Sequence, residues 1–285
     1  MINQDYTSFS ETHLNNIVQE FNLKGYAYLG QIISSKLILK LKKRTEDLMM
    51  GRVKYKNMFF KLDDPGGDYF KIKHQDIKNE VFSGPSNRYK KIKDLEYDSL
   101  FLDLIKCKLF RSISEKLIGN EVSSMRAMIL NKSFIKSSIL PFHQDVSENW
   151  PMTGKPKFTI WLSLNGASKR NGCLKVVEGS HRHGIIGDGN NLLNKKLKKR
   201  FLKKKNIKYL ELKAGEAVIF SNYTLHGSDK NLTKKNRLGF TVCMMDNKIK
   251  HKITKKKYPK IFGRGALSAY KVKKLKSIPA KVYEK

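Results

Sequence analysis

At 285 residues, with 40% hydrophobic and 10% aromatic residues, the chain is too apolar to be disordered and long enough to bury a substantial core. Its apolar runs are far shorter than a bilayer requires, which excludes a helical membrane span, while a formal charge of +33 raises nucleic acid or an anionic surface as a partner. That charge is discounted: only 10 of the 58 basic residues are Arg, and Lys with abundant Asn and Ile is what an AT-rich coding sequence yields. A phosphate-tracking surface draws instead on the bidentate Arg fork.

The amino terminus, MINQDYTSFSETHLNNIVQEF, has no apolar run behind a basic start, so it is not read as a signal peptide and a cytoplasmic location is expected. From about Glu11 to Arg52 the apolar spacing predicts two helices, the second capped by Ser35, with the strand NLKGYAYLGQII between them and Gly25 ending the first helix. Residues 58–87 carry PGG at 65–67 and GP at 84–85 and read as loop. LEYDSLFLDLIKCKLFRSISEKLIG reads as a further helical stretch ending at Gly119.

From Ser124 onward the pattern changes to short apolar runs between turn residues: MRAMILNKSF, KFTIWLSLNGA, GCLKVVEGS, KYLELKAGEAVIF and RLGFTVCMMD. These predict an antiparallel barrel or jelly roll, supported by the helices before it. Two basic segments stand out, KKLKKRFLKKK at 195–205, read as a connecting loop or helix, and KIKHKITKKKYPK at 248–260, the start of a poorly patterned C-terminal extension. No repeat or Pro- or Ser-rich linker divides the chain, so one domain is expected over 1–285: helical support over about 1–120, the barrel over about 121–247 and the extension over about 248–285. Cys107, Cys173 and Cys243 are too dispersed for a disulfide framework or a paired-thiolate zinc site and read as small buried hydrophobes.

The chemistry gathers around LPFHQDVSENW. His143 and Asp145, two apart on a strand, face the same way and can share one ion. His226 follows the apolar run AVIFSNYTL 83 residues later, where a returning strand could supply a third ligand. Two His and one carboxylate leave positions open, which suits non-haem Fe(II), although zinc accepts the same ligands. An HxD pair is a weak signal, and a second copy stands at His74 and Asp76; its polar, Lys-rich surroundings read as solvated loop. His181 and His183, after a turn, are rival third ligands with a structural reading favoured. Arg237 lies 11 residues after His226, and a turn at DKNLTKKN brings it back towards the pocket, where its guanidinium can fix a dicarboxylate in position and direction.

With these residues the chain resembles the phytanoyl-CoA dioxygenase family of Fe(II)/2-oxoglutarate-dependent oxygenases. The matching stretches are MILNKS, LPFHQD, FTIWLSLNGA, NGCLKVVEGSHR, LHGSDKN and NRLGF, within roughly Lys90 to Met245. The resemblance implies a fold of α+β class, mainly β: a double-stranded β-helix (jelly roll) with supporting N-terminal helices. It implies Fe(II) held by His143, Asp145 and His226, 2-oxoglutarate and O2 as cosubstrates, Arg237 on the distal carboxylate with Ser228 beside it, and Lys91, Met128 and Trp161 as further cosubstrate contacts. Met128 and Trp161 read equally well as barrel core. The implied activity is a dioxygenase that hydroxylates an unactivated C–H bond and releases succinate and CO2; the carboxylate at Asp145 departs from the similar halogenases, in which a small residue stands there.

The substrate is expected to be a small molecule, with an anion suited to a basic pocket, and Trp150, Asn149 and Lys155 in the loop after Asp145 are candidates to contact it. No catalytic residue is expected beyond the metal ligands, and nothing in the sequence sets the oligomeric state. The competing readings are an oxygenase or barrel scaffold acting on nucleic acid or another polyanion, and a metal-bearing cupin without 2-oxoglutarate. The first lacks an aromatic-interleaved basic strand, and the second requires Arg237 to point away from the metal.

Overall fold

The computed structural model describes residues 5–63, 81–135, 137–187, 193–275 and 277–279. Helix α1 (Glu11–Lys24) begins where Ser10 Oγ accepts the His13 N–H at 3.2 Å and ends at Gly25, whose φ of 85° is the left-handed value a C-terminal cap requires. Helix α2 (Ser35–Met49) is capped by Ser34 rather than by Ser35: Ser34 keeps an extended backbone and accepts from Leu37 N at 3.1 Å, so its neighbour is already helical. The apolar stretch ending at Gly119 is two helices, α3 (Ser99–Ile105) and α4 (Lys108–Leu117). Asp98 caps the first through Leu100 N and Phe101 N, and extended backbone at Cys107 breaks the run.

Two antiparallel sheets follow. The larger runs β1 (Tyr26–Gln31), β9 (Glu216–Ser221), β6 (Phe158–Ser163), β11 (Arg237–Asp246), β4 (Val122–Lys132), β3 (Tyr89–Lys93) and β2 (Phe60–Leu62), with β12 (Lys260–Phe262) paired to the start of β4. The smaller runs β5 (Leu140–His143), β10 (His226–Ser228), β7 (Leu174–Val177) and β8 (Ile207–Leu210). This is the expected jelly roll. Strand β1 is the one expected between the first two helices, whereas β2, β3 and β12 come from the segments read as helical support, loop and unpatterned extension. They were hidden because β2 and β12 hold three residues each and β3 reads YKKIK, with too few apolar positions to show a period.

Alternation along the strands separates two interiors. On β6, β9 and β11, Phe158, Ile160, Leu162, Ala217, Ile219, Phe240 and Val242 face the helices and join their buried residues in the main core. The opposite face turns Trp161, Val218 and Phe220 towards the smaller sheet, where they meet Leu174, Val176 and Leu210. The basic segment at 195–205 contains helix α5 (Lys195–Phe201), whose Leu197 and Phe201 pack beside Phe142 and Leu225 while its lysines stay exposed. A short helix α6 (Ala269–Lys273) follows β12. Among the described residues no helix is long and apolar enough to cross a membrane.

Candidate metal centre

Strands β5 and β10 pair so that His143 and His226 are direct cross-strand partners, their ring centroids 4.2 Å apart. Strand β5 stops at His143, so Asp145 is not on the strand; it lies in the turn beyond, held by its own N–H to Asn222 O at 2.9 Å. The convergence expected from a strand is thus made by a strand end and a turn. His143 Nε2 is 3.9 Å from Asp145 Oδ1 and His226 Nε2 is 3.7 Å from Asp145 Oδ2. Ligand atoms of the three residues all lie within 4.8 Å of one another.

The donor set fits a metal ion. Each imidazole Nδ1 is 2.9 Å from a backbone carbonyl, that of Pro141 for His143 and that of Thr224 for His226, so Nδ1–H donates and Nε2 keeps its lone pair for the centre. Burial pushes His143 down to about 3 and also lowers His226, which keeps both rings neutral. Burial alone would raise the Asp145 carboxyl, but Arg126, with Nη2 2.5 Å from Oδ1, outweighs it and holds the group below the usual carboxylate range. The HQD copy at 74–76 lies outside the described residues. His181 instead meets Asn22 O through Nε2 at 3.0 Å, and His183 packs its ring on Phe201 with centroids 5.1 Å apart.

A cavity of about 220 Å³ opens over the triad. Its lining also includes Arg237, Ser228, Lys91, Met128 and Trp161, so all five residues expected beside a dicarboxylate border the same cavity as the triad. Arg237 is 5% exposed, stands 5.2 Å from the Trp161 ring centroid, and has no hydrogen-bond partner on Nε among the described residues. Burial lowers its guanidinium to about 10, still charged at neutral pH. A buried cation with an unused donor is costly unless an anion completes it, which fits a carboxylate at this end of the cavity. Lys91 is lowered to about 7 by burial, with Lys93 and Arg126 adding to it.

The loop after Asp145 divides. Trp150 lines the cavity, whereas Asn149 does not, its N–H turning back to Ser147 Oγ, and Lys155 points to Ser147 O and Glu148. The sequence reading missed Arg126, the single charged residue in the strand run SSMRAMIL and two positions from Met128 on the same face; that placement was its signal. It also missed Gln144, whose amide ties Gly184 O, Tyr223 O and Ile186 N together beneath the triad, and Asn222, which accepts from Thr159 Oγ1. Neither carries a sequence signal, because each acts only through chain segments brought together by folding.

Comparison with known proteins adds the following. The family model described as phytanoyl-CoA dioxygenase (PhyH) matches residues 21–239. Phytanoyl-CoA dioxygenase 1 of Oryza sativa subsp. japonica is 24% identical over 260 residues, covering 79% of this chain and 86% of that protein. Two solved structures share the fold: the epimerase SnoN in complex with Fe3+, alpha ketoglutarate and nogalamycin RO (TM-score 0.64, 16% identity, 86% of this chain and 88% of that one), and EctD from S. alaskensis with 2-oxoglutarate and 5-hydroxyectoine (TM-score 0.61, 19% identity, 94% and 89%).

Proposed function

The chain belongs to the phytanoyl-CoA dioxygenase family of 2-oxoglutarate-dependent non-haem iron dioxygenases, and from that membership we propose that it hydroxylates an unactivated C–H bond of a small-molecule substrate. One observation carries the reading to particular residues: the His143, Asp145 and His226 cluster shares a single cavity with the buried, incompletely bonded guanidinium of Arg237. A metal-bearing cupin without 2-oxoglutarate would turn that guanidinium elsewhere. SnoN and EctD carry small molecules beside alpha ketoglutarate or 2-oxoglutarate, which supports a small substrate here.

In this assignment His143 Nε2, His226 Nε2 and one Asp145 oxygen hold Fe(II), and the Pro141 and Thr224 carbonyls fix both rings in the ligating tautomer. Arg237 holds the distal carboxylate of 2-oxoglutarate, with Ser228 and Lys91 beside it, and Trp161 and Met128 close the cavity to water. Bound Fe(II) and 2-oxoglutarate supply the oxidising chemistry, in which dioxygen is consumed, the cosubstrate leaves as succinate and CO2, and one oxygen atom goes to the substrate carbon. The protein moves no proton of its own in this scheme; its task is placement. Residues 1–285 are taken as one oxygenase domain, supported by β1, β3 and β12 joining the same large sheet as the central strands.

The test is anaerobic reconstitution with Fe(II) and 2-oxoglutarate, following the visible charge-transfer band of the chelate. The wild-type chain is expected to show the band, His226→Ala to lose it and Arg237→Ala to need much higher 2-oxoglutarate. A wild-type chain that binds Fe(II) but gives no band overturns the proposal. Succinate release against a panel of small molecules then ranks substrates.

A further inference from the structure

Among the described residues the Lys91 ammonium makes no hydrogen bond and no ion pair, although its side chain lines the cavity over the triad. Register fixes where it stands. Across β3, β4 and β11 the side chains of the interior face form rows: Arg237 with Lys132, then Lys91 with Leu130 and Gly239, then Lys93 with Met128 and Thr241, then Arg126 with Cys243. Asp145 meets the row of Arg126, so Lys91 lies at the opposite end, one row from Arg237. Lys91, Arg237 and Ser228 also line an adjoining space of about 60 Å³. The charged groups facing Lys91 are Lys93 on its own strand, Lys61 opposite it on β2, Arg126 and Lys132 on β4, Arg237 on β11, and His143, Asp145 and His226 across the cavity, with Asp63 and Lys90 in the adjoining space. Both carboxylates are engaged elsewhere, Asp145 with Arg126 at 2.5 Å and Asp63 with Lys90 at 3.5 Å.

An amine enclosed without an acceptor is more stable neutral than charged, because the ammonium loses its hydration and nothing replaces it. Burial accordingly lowers Lys91 to about 7, with Lys93 and Arg126 adding to the effect. Burial is the largest cause, and it acts whatever those two side chains pair with. Arg237 is enclosed in the same way but responds differently: burial lowers its guanidinium only to about 10, so it keeps its charge at neutral pH. This end of the cavity therefore holds a fixed cation beside an amine that can gain or lose a proton. 2-Oxoglutarate brings a carboxylate to both. An ammonium gives that carboxylate a charge-assisted hydrogen bond, roughly twice as strong as the bond a neutral amine gives.

Resting on the oxygenase reading above, we propose that 2-oxoglutarate enters the cavity together with one proton, which the Lys91 amine takes from solvent as the distal carboxylate arrives. The amine forms one N–H bond, a buffer acid loses its proton, and nothing is oxidised or reduced. Loss of CO2 leaves the distal carboxylate in place, so the proton stays until succinate departs and then returns to solvent. It takes no part in the oxidation. Below about pH 7 the amine is already protonated in the empty cavity and affinity is level. Between about 7 and the ordinary lysine value of 10.5, each unit of pH weakens 2-oxoglutarate binding by about tenfold, because the free chain lacks the proton that the complex holds.

The test is calorimetric titration of 2-oxoglutarate into the full chain loaded with Fe(II), anaerobic, at pH 8 in HEPES and in Tris. These buffers differ in ionisation enthalpy, so the difference in heat counts the protons taken up. Close to one is expected at pH 8, and about 0.2 or fewer at pH 6 in a second buffer pair. Lys91→Arg keeps a cation that has no proton to gain, so it should bind 2-oxoglutarate with little uptake and with an affinity level from pH 6 to pH 8. Lys91→Met should lose the uptake and bind more weakly at pH 6. Uptake of about 0.3 or less by the wild-type chain at pH 8 overturns the proposal, as does an uptake near one that both variants retain. Competitive acetylation with acetic anhydride, read by peptide mass spectrometry, needs no variant: Lys91 should titrate well below the lysines of α5 and be protected by 2-oxoglutarate. Titration together with those lysines overturns the proposal. The charge-transfer band, recorded on the same samples, separates the two claims. A band without proton uptake overturns the coupling alone; uptake that depends on Lys91, without a band, overturns the Fe(II)/2-oxoglutarate reading alone.

Discussion

Gly239 shows how closely one residue is tied to the cavity. It sits on β11 opposite Ser163 of β6, and a Cβ there would lie 2.5 Å from the Trp161 ring, which is 2% exposed and could yield only towards Arg237 and the cavity it lines. Gly239→Ala is therefore expected to cost about 1–3 kcal/mol of stability through overpacking. It should also raise the 2-oxoglutarate concentration needed for the charge-transfer band more than it changes Fe(II) affinity, since the displaced ring contacts Arg237 and not the triad. Urea titration and the band measured on one preparation check both parts. Lys132 behaves differently. It is 8% exposed, donates to Ser138 O and Asp229 O, and is lowered to about 7 by burial and by the nearby Arg237 and Lys90. Between about 7 and the ordinary lysine value of 10.5 the unfolded chain binds the proton and the folded chain does not, so stability rises with pH across that window. Lys132→Met should unfold at lower urea, having left one buried and one half-buried carbonyl without their donor, but should show a smaller gain between pH 7 and pH 9 than the wild-type chain. An unchanged gain would mean that Lys132 stays charged.

At the scale of elements, β12 makes a prediction that the sequence pattern concealed. Ile261 and Phe262 are buried at 0% and 1% exposure in the main core, and Tyr258 just before them lines a slot beside the cavity. Phe262→Ala should cost about 3–5 kcal/mol, the usual penalty for emptying a buried aromatic site, and should lower the melting temperature markedly. A change within noise would show β12 to be an appendage. The same strand explains what the sequence could and could not reveal. The central strands were legible because runs such as KFTIWLSL and GEAVIF place apolar residues on both faces, one turned to the helices and one to the smaller sheet. YKKIK and PKIF were not, since their partners on β4 supply the apolar surface that makes them strands. The triad and Arg237 were visible as residue types at telling separations, and the structure brings them into one cavity. Arg126 was passed over because one cation in an apolar strand gains meaning only when β4 and the turn carrying Asp145 are seen to meet.

For the whole molecule, the question is whether a charge of +33 belongs to the function or to the surface. The two populations of cations are physically distinct. Lys195, Lys196, Lys198 and Lys199 lie exposed on α5, which turns only Leu197 and Phe201 inward, and none of them lines the cavity. At physiological ionic strength the Debye length is about 8 Å, so exposed charges beyond that range from the triad have little influence on an anion bound there. Lys91 and Arg237, by contrast, line the cavity, where water and salt screen them poorly. Replacing the four α5 lysines together by Gln is accordingly expected to leave the charge-transfer band and succinate output within about twofold of wild type. The same variant should lose retention on a polyanion such as duplex DNA and flatten the dependence of that retention on salt, since each phosphate neutralised by a lysine adds to the slope. A fall in succinate output matching the fall in DNA retention would instead join the surface charge to catalysis and return a polyanionic substrate to first place.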